Sequence, residues 1–390
     1  MKVLFLHDRF PAGGAERITI DIANYISPRG YEVTVCAREI THHAVDNINM
    51  IQLPDTNCSS SQENIDFIAD TINLQHIDVF ILPVQAIPEI CECIKRKTHA
   101  KVVFALHSIP FWELTYRLYE KKNKARGKIL KTIGWHLFTY PKMMWGKKYR
   151  TRYRYQYARL YQLTDAFTVL CNAYKDMLQR ELNLDDNNKI RVIHNSERMI
   201  EEYNENKKKQ ILFVGRFSYE DKRADRLLKI WKDIYRKAEG WQLIMVGDGP
   251  ERKNLEDYIA HHQLKNVTLA GFHSDVTPYY RDASIICLTS TFEGWPLCLT
   301  EAQAHGVVPI AFSCTAGVEE IIAPSGKNGI LVPPFSHSKY KEELLSLIND
   351  ESLLKEMSRN CHKKSMDYSP EITGEKWYRM LKELTPTSLD

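Results

Sequence analysis

Residues 285–311 read IICLTSTFEGWPLCLTEAQAHGVVPIA, and their pattern decides the fold. Ile285–Leu288 is a short continuous apolar run, as expected of a strand buried on both faces. A loop follows, a helix begins near Leu297, and Val308–Ala311 forms the next apolar run. Continuous apolar strands with helices between them belong to a parallel sheet covered on both sides.

The same unit recurs outward in both directions. Leu212–Val214, Leu243–Val246, Val267–Leu269 and Ile330–Val332 read as strands, with helices such as Ala224–Lys237 and Glu251–His261 between them. Upstream, residues 201–210 (EEYNENKKKQ) are polar, charged and without apolar periodicity, which marks a linker. Before it the pattern runs again. Val3–Leu6 is a strand, a helix spans about Ala15 to Tyr25 and ends by Gly30, and Val33–Ala37 follows. Val79–Leu82, Val102–Leu106, Phe167–Leu170 and Val192–Ile193 are further strands. The chain therefore reads as two α/β halves, 1–200 and 211–372, with a last helix in 373–390 that carries Trp377, Met380 and Leu381 at helical spacing. Such sheets bind ligands outside the carboxyl ends of their strands, and two apposed domains place the expected site in the cleft between them.

A length of 390 residues, with 44% hydrophobic and 26% charged residues, is ordinary for a soluble chain of two or three domains. This excludes a disordered tail, a collagen-like repeat and a disulfide scaffold. No apolar run reaches the roughly 18 residues of a membrane span, and Asp8 interrupts the first apolar stretch, so a cytoplasmic chain is expected. The nine cysteines are odd in number, scattered and free of any C-x-x-C pair. They read as reduced core thiols rather than a zinc site.

Charge is unevenly spread. Residues 117–159 hold 14 Lys and Arg against the single acid Glu120, whereas the remainder holds 39 Lys and Arg against 48 acids. The window also holds nine aromatic residues. Ile129, Leu130, Ile133, Leu137 and Phe138 fall near helical spacing with Lys128 and Lys131 between them, and Pro141 is expected to stop that helix. A basic, aromatic-rich amphipathic segment suits an anionic membrane surface. A solvated basic helix whose apolar stripe joins the core, and a nucleic-acid groove, are the other readings; the membrane is the expected partner and nucleic acid is not.

Several nucleotide motifs are missing. The nearest approach to G-x-G-x-x-G, at Gly247-Asp248-Gly249, has Arg252 where the third glycine belongs, and there is neither a P-loop nor a G-x-S-x-G elbow. Four strand ends stand out instead. Gly13 and Gly14 precede a helix, where backbone N–H groups can approach an anion. Arg216 and Lys222, six residues apart after the first strand of the second half, can clamp a diphosphate, although an exposed basic loop would look the same. Glu293 and Glu301 stand around a helix start and suit two sets of hydroxyls, since carboxylate oxygens accept from O–H donors. The turn between them offers N–H groups at Trp295, Leu297 and Cys298, and none at Pro296. His107 follows the strand Val102–Leu106.

In order, GGAER, FVGRF with Lys222 beyond it, VGDGPE, LAGF, FEGWPLCLTEAQAHGVVPIAF and KNGILVPP resemble the retaining glycosyltransferases of family 4, over nearly the whole chain. The resemblance implies the GT-B fold: two Rossmann-like domains facing across a cleft, with the C-terminal helix crossing back to the first domain. It implies an acceptor-binding domain at 1–200 and a nucleotide-sugar-binding domain at 211–372. By position, Gly13 and Gly14 would lie against the donor phosphates and acceptor path. His107 would contact the transferred sugar, and Arg216 and Lys222 the pyrophosphate. Glu293 would bind the sugar hydroxyls, the backbone from Trp295 to Cys298 the phosphates, Glu301 the ribose, and the backbone near His273 the base.

Pro296, Ser196 and Arg223 stand where many relatives have glycine. The implied activity is a retaining hexosyl transfer from a nucleotide sugar, UDP-linked by association, without metal or cofactor. The implied acceptor is a saccharide or lipid-linked saccharide of bacterial surface polysaccharide, lipopolysaccharide or glycolipid, reached from the inner face of the cytoplasmic membrane. A nucleotide-sugar epimerase of the same fold and a non-catalytic membrane-surface scaffold are the alternatives.

Overall fold

A computed structural model describes residues 1–11, 13–41, 44–83, 85–144 and 147–385. Two compact units emerge. The first comprises Met1–Trp112, Gly146–Ser196 and Tyr368–Asp390, and the second Glu113–Trp145 and Glu197–Asp367.

The first unit is built on seven parallel strands: β1 (Lys2–Phe10), β2 (Glu32–Ile40), β3 (Ile48–Gln52), β4 (Val79–Pro83), β5 (Lys101–Ala105), β6 (Ala166–Val169) and β7 (Ile190–Val192). Their order is β3-β2-β1-β4-β5-β6-β7. β1 pairs with β2 from Lys2↔Glu32 and with β4 from Val3↔Val79. Strand order therefore reverses between β1 and β4, which opens a crevice at their carboxyl ends. β4 and β6 are buried at every residue, as their apolar runs require. β3 (INMIQ) was not anticipated: it is an edge strand with only Ile48 buried, so it lacks the continuous apolar run by which the others were recognised.

The helix Pro370–Leu384 belongs to this unit and packs on the helix Gly14–Ile26. Tyr25 Oη donates to Glu375 Oε2 at 3.0 Å, and Tyr31 meets Tyr378 edge-on at 5.7 Å. Gly374 makes room for the Tyr25 ring, with which any Cβ there would collide.

The second unit is built on six parallel strands: β8 (Gln210–Val214), β9 (Gln242–Val246), β10 (Val267–Gly271), β11 (Ile285–Leu288), β12 (Val308–Phe312) and β13 (Ile330–Val332), ordered β10-β9-β8-β11-β12-β13. The reversal here lies between β8 and β11. Trp231, Phe213, Met245 and Tyr340 centre its core.

Three expectations change. The basic stretch Glu113–Trp145 groups with the second unit, although by sequence it falls within the first half. Pro141 does not stop the helix near it. Ile129–Gly134 is helical, Trp135–Thr139 forms a wider π-helical turn, and helix resumes at Tyr140–Met144 with Pro141 in its first turn. The ladder just before it is the wider π-helical one, in which Tyr140 N donates to Trp135 O five residues back, and the proline follows that turn with no N–H of its own to place. Cys58 is exposed and Cys314 half-buried, whereas the other seven cysteines are buried thiols.

Candidate active site

In the second unit, the loops after β8, β9 and β11 hold most of the residues singled out by sequence. The β8 and β9 loops lie backbone to backbone. Gly215 N donates to Val246 O at 3.0 Å, and Phe217 N to Asp248 O at 2.8 Å. Gly247 and Gly249 have positive φ, and a Cβ at either would run into the backbone of Gly215 or Phe217. The two glycines of GDG therefore serve loop packing rather than a dinucleotide fingerprint. Gly247 N also donates to Gly271 O at 2.8 Å, so the ends of β10, β9 and β8 form one ledge.

Lys222 reaches across to the β11 loop. Its Nζ lies 2.8 and 3.1 Å from the two oxygens of Glu293, whose Oε1 also accepts from Ser290 Oγ at 2.6 Å. Glu293 is 9% exposed. Burial alone would lower the Lys222 pKa, but the Glu293 carboxylate more than offsets it and holds the ammonium well above the ordinary lysine range. Arg216 is exposed and donates to Asp221 Oδ2 at 3.2 Å, and Asp221 also accepts from Ser218. Burial would raise the Asp221 pKa; the Ser218 hydrogen bond and the charges of Arg216 and Lys222 leave it lowered. The site thus holds two cations and two carboxylates in alternation.

Arg223 adopts the left-handed conformation at φ 53°, the geometry glycine meets most readily. Its guanidinium is held by Asp225 at 2.8 and 3.0 Å and lies 4.2 Å from the centre of the Tyr219 ring.

The helix Leu297–Ala304 starts at the β11 loop with Pro296 as its cap residue and no side-chain cap. Its first-turn N–H groups are the donors that helix starts offer to anions. Cys298 is buried and its thiol is pushed up to about 12, so its side chain stays neutral. Trp295 is buried too, which leaves the backbone of this turn as its polar face. One helical turn on, Glu301 accepts from Tyr280 Oη at 2.7 Å. His273, exposed beyond β10, has Nε2 3.1 Å from Ala270 O and 2.9 Å from Tyr279 Oη.

In the first unit the features gather at the β1/β4 reversal and after β5. Gly13 caps the helix Gly14–Ile26 at φ 133°, and the Glu16 side chain fills the space a Cβ would need. Glu16 Oε1 lies 3.4 Å from His7 Nδ1, and His7 Nε2 lies 2.9 Å from Thr19 Oγ1. The Gly13–Gly14 turn, expected to meet donor phosphate, has the Glu16 carboxylate beside it. Beside it a pocket of about 260 Å³ is lined by His7, Asp8, Glu16, Ser59 and Gln85 among others. His107 Nδ1 lies 2.8 Å from Asn195 Oδ1. An amide oxygen only accepts, so the proton sits on Nδ1 and Nε2 is an acceptor. Burial pushes His107 down to about 4, so the ring is neutral at pH 7.

The second unit brings Arg216, Lys222, Glu293, Trp295, Leu297, Cys298 and Glu301 onto the neighbouring β8 and β11 loops and the helix that follows, with His273 at the far end of the ledge. Gly13, Gly14 and His107 lie on the first unit. Sequence reasoning missed Ser290, Asp221, Asn195, Tyr280 and the His7–Glu16 pair. Ser290, three residues before Glu293, had a readable spacing. Tyr280, an aromatic in a run of aromatics, had none.

These features have counterparts among known proteins. The model of Glycosyltransferase Family 4 matches residues 12–196, and that of Glycosyl transferases group 1 matches residues 195–364. Laid end to end they span both units, and the chain belongs to the group 1, family 4 glycosyltransferases.

Among particular relatives, the amylovoran biosynthesis glycosyltransferase AmsD of Erwinia amylovora is 35% identical over 176 residues, 45% of this chain and 48% of that one. An α-1,4-N-acetyl-D-galactosaminyltransferase of Campylobacter jejuni, named for a PP-undecaprenol-linked acceptor, is 25% identical over 57% of this chain and 62% of its own. The chain thus spans about half to three-fifths of these curated relatives. Among solved structures, HepE of Anabaena in complex with UDP superposes with a TM-score of 0.72 at 16% identity, over 98% of this chain and all of that one. At that identity the likeness speaks for the fold: two Rossmann-like parallel-sheet units of the GT-B class.

Proposed function

We propose that this protein is a retaining, metal-independent glycosyltransferase. It moves a sugar from a nucleotide sugar, a UDP-sugar, to a hydroxyl of a saccharide or lipid-linked saccharide in bacterial surface polysaccharide, lipopolysaccharide or glycolipid assembly. It works peripherally at the inner face of the cytoplasmic membrane. The observation that carries this reading is the pair of half-buried Lys222 and buried Glu293 beside the exposed Arg216 at the strand-order reversal of the second sheet.

Transfer breaks the bond between the anomeric carbon and the leaving diphosphate, and negative charge grows on that diphosphate. Lys222 and Arg216 supply fixed positive charge there, and the N–H groups opening the helix Leu297–Ala304 add their dipoles. Glu293, oriented by Ser290 and Lys222, accepts from hydroxyls of the transferred sugar. Glu301, oriented by Tyr280, accepts from the ribose, and the ledge running to His273 receives the base. The acceptor belongs to the first unit, whose pocket at the β1/β4 reversal is lined with hydrogen-bonding groups suited to hydroxyls. Neutral His107, with Nε2 as acceptor, suits a sugar hydroxyl rather than a phosphate. The UDP complex of HepE supports the donor class, and the Campylobacter enzyme's acceptor supports a lipid-linked one.

Calorimetry with UDP, GDP and ADP tests the donor site. One of them is expected to bind at micromolar strength and to bind about ten-fold more weakly in Glu301→Ala. A folded protein that binds none of the three removes the transferase reading. Turnover of a nucleotide sugar without acceptor would favour an epimerase instead. The anomeric configuration of the product, read by NMR, tests retention.

A further inference from the structure

From Lys121 to Lys142 the chain carries seven Lys and Arg and no acid. The apolar side chains there do not join the core: Ile129 is 80% exposed, Leu130 86% and Phe138 72%, with Leu137 also exposed. Lys128, Lys131 and Lys142 are exposed on the same short stretch. Beneath them Trp135 and Met143 are buried, with Tyr140 5.1 Å from the Trp135 ring and Lys122 Nζ 5.2 Å above it. The outcome is a ridge of apolar side chains ringed by cations and seated on an aromatic base. Cations among exposed apolar groups complement the anionic headgroups and acyl boundary of an acidic bilayer.

The ridge is not suspended on its own. The helix Trp112–Ala125 leads into it, and that helix together with Arg126 just past its end touches the loops after β8, β9 and β11. Asn123 Nδ2 donates to Glu220 Oε1 at 2.7 Å, between Arg216 and Lys222 in sequence. Arg126 Nη1 donates to the buried Glu251 at 2.5 Å on the β9 loop, and its guanidinium lies 4.6 Å from the centre of the Tyr219 ring. Tyr119 stacks on Phe292, the neighbour of Glu293, at 6.5 Å.

We propose that the ridge at residues 128–142 is a docking surface for an anionic lipid bilayer, and that the helix Trp112–Ala125 couples its occupancy to the diphosphate-binding loops, so that membrane and nucleotide bind cooperatively. The coupling rests on the donor site proposed above; the docking surface does not. Docking fixes the ridge and the helix that braces the loops, so less freedom is lost when nucleotide binds, and by linkage nucleotide tightens membrane binding by the same factor.

Two readouts test this on the full chain. The first is sedimentation with phosphatidylglycerol–phosphatidylcholine vesicles against phosphatidylcholine alone. Binding to the acidic vesicles is expected, and its loss in Leu130→Ser/Phe138→Ser, which keeps the charge and whose exposed positions leave the fold intact by circular dichroism. Equal binding to both vesicles overturns the surface. Binding that falls with salt but ignores Leu130→Ser/Phe138→Ser marks a site for any polyanion, nucleic acid included, and overturns it too.

The second is the calorimetric Kd of whichever of UDP, GDP and ADP binds, with and without acidic vesicles. It is expected to tighten about five-fold or more. Asn123→Ala/Arg126→Gln is expected to keep vesicle binding and lose that tightening. Vesicle binding with an unchanged Kd overturns the coupling alone. If no nucleotide binds in either condition, the donor site and the coupling fall together, and sedimentation still decides the docking surface.

Discussion

The two units handle polar chemistry in opposite ways. At the reversal of the second sheet, fixed charges alternate: Arg216 with Asp221, Lys222 with Glu293, each pair within 3.2 Å. On the first unit, His107 meets Asn195 as a neutral ring, and the acids Asp8 and Glu16 line a pocket of about 260 Å³ beside His7. Both sheets are parallel, with the same kind of reversal. The difference therefore lies in the loops and not in the fold. Fixed cations belong where negative charge develops in a reaction, and acceptors belong where hydroxyls are bound.

The hardest test of that contrast is Lys222→Ala. It removes the half-buried cation and leaves buried Glu293 without its ammonium partner. Turnover is expected to fall at least 100-fold, on the scale of a lost oxyanion donor, with the circular dichroism spectrum retained. Turnover near wild type would deny the second unit its role in the diphosphate's charge. Glu301→Ala is the next largest. Loss of hydrogen bonds to a charged acceptor is worth about 1.5 kcal/mol or more, so nucleotide affinity should weaken about ten-fold. An unchanged Kd would move the ribose off this helix.

Much of the contrast was legible in sequence, and the reason is local. Arg216 and Glu293 follow apolar strands and Lys222 and Glu301 lie near helix starts, so periodicity placed them on the loops and helices after β8 and β11, and the resemblance supplied their expected roles. The Lys222–Glu293 contact was not legible, because it joins loops 71 residues apart and depends on β8 lying beside β11. For the same reason His107–Asn195 escaped notice, since each follows a strand but the register that brings them together is set by the sheet. The basic segment was open in a different way. Its spacing gave a helix, yet whether its apolar side chains faced the core or solvent depends on what lies beneath, and Trp135 and Met143 fill that place. Arg223 was readable only as a departure from glycine; the left-handed backbone explains why glycine is usual there.

A smaller effect separates the units by pH. His107 is pushed down to about 4, against about 6.5 for an unburied histidine. Above pH 6.5 the ring is neutral folded or unfolded and contributes no slope. Between 6.5 and 4 the unfolded chain binds a proton that the folded chain refuses, so stability falls as pH falls. Replacing the ring by an uncharged side chain, His107→Gln, should flatten that part of the urea midpoint against pH curve. An equally steep fall in the variant would place the acid sensitivity elsewhere.

The smallest expected effect concerns metal. Both carboxylates of the charged site are already engaged, Asp221 by Arg216 and Ser218 and Glu293 by Lys222 and Ser290. A divalent ion bound there would have to break one of these pairs and strand a cation beside it. Fixed ammonium and guanidinium groups leave the same positive charge in place without that rearrangement. Turnover in excess EDTA should therefore stay within about two-fold of turnover in magnesium, a barrier difference of about 0.4 kcal/mol. A ten-fold loss that magnesium restores would make Asp221 or Glu293 a metal ligand. It would also dissolve the contrast, because the second unit's charge would then be borrowed from solution rather than built into its loops.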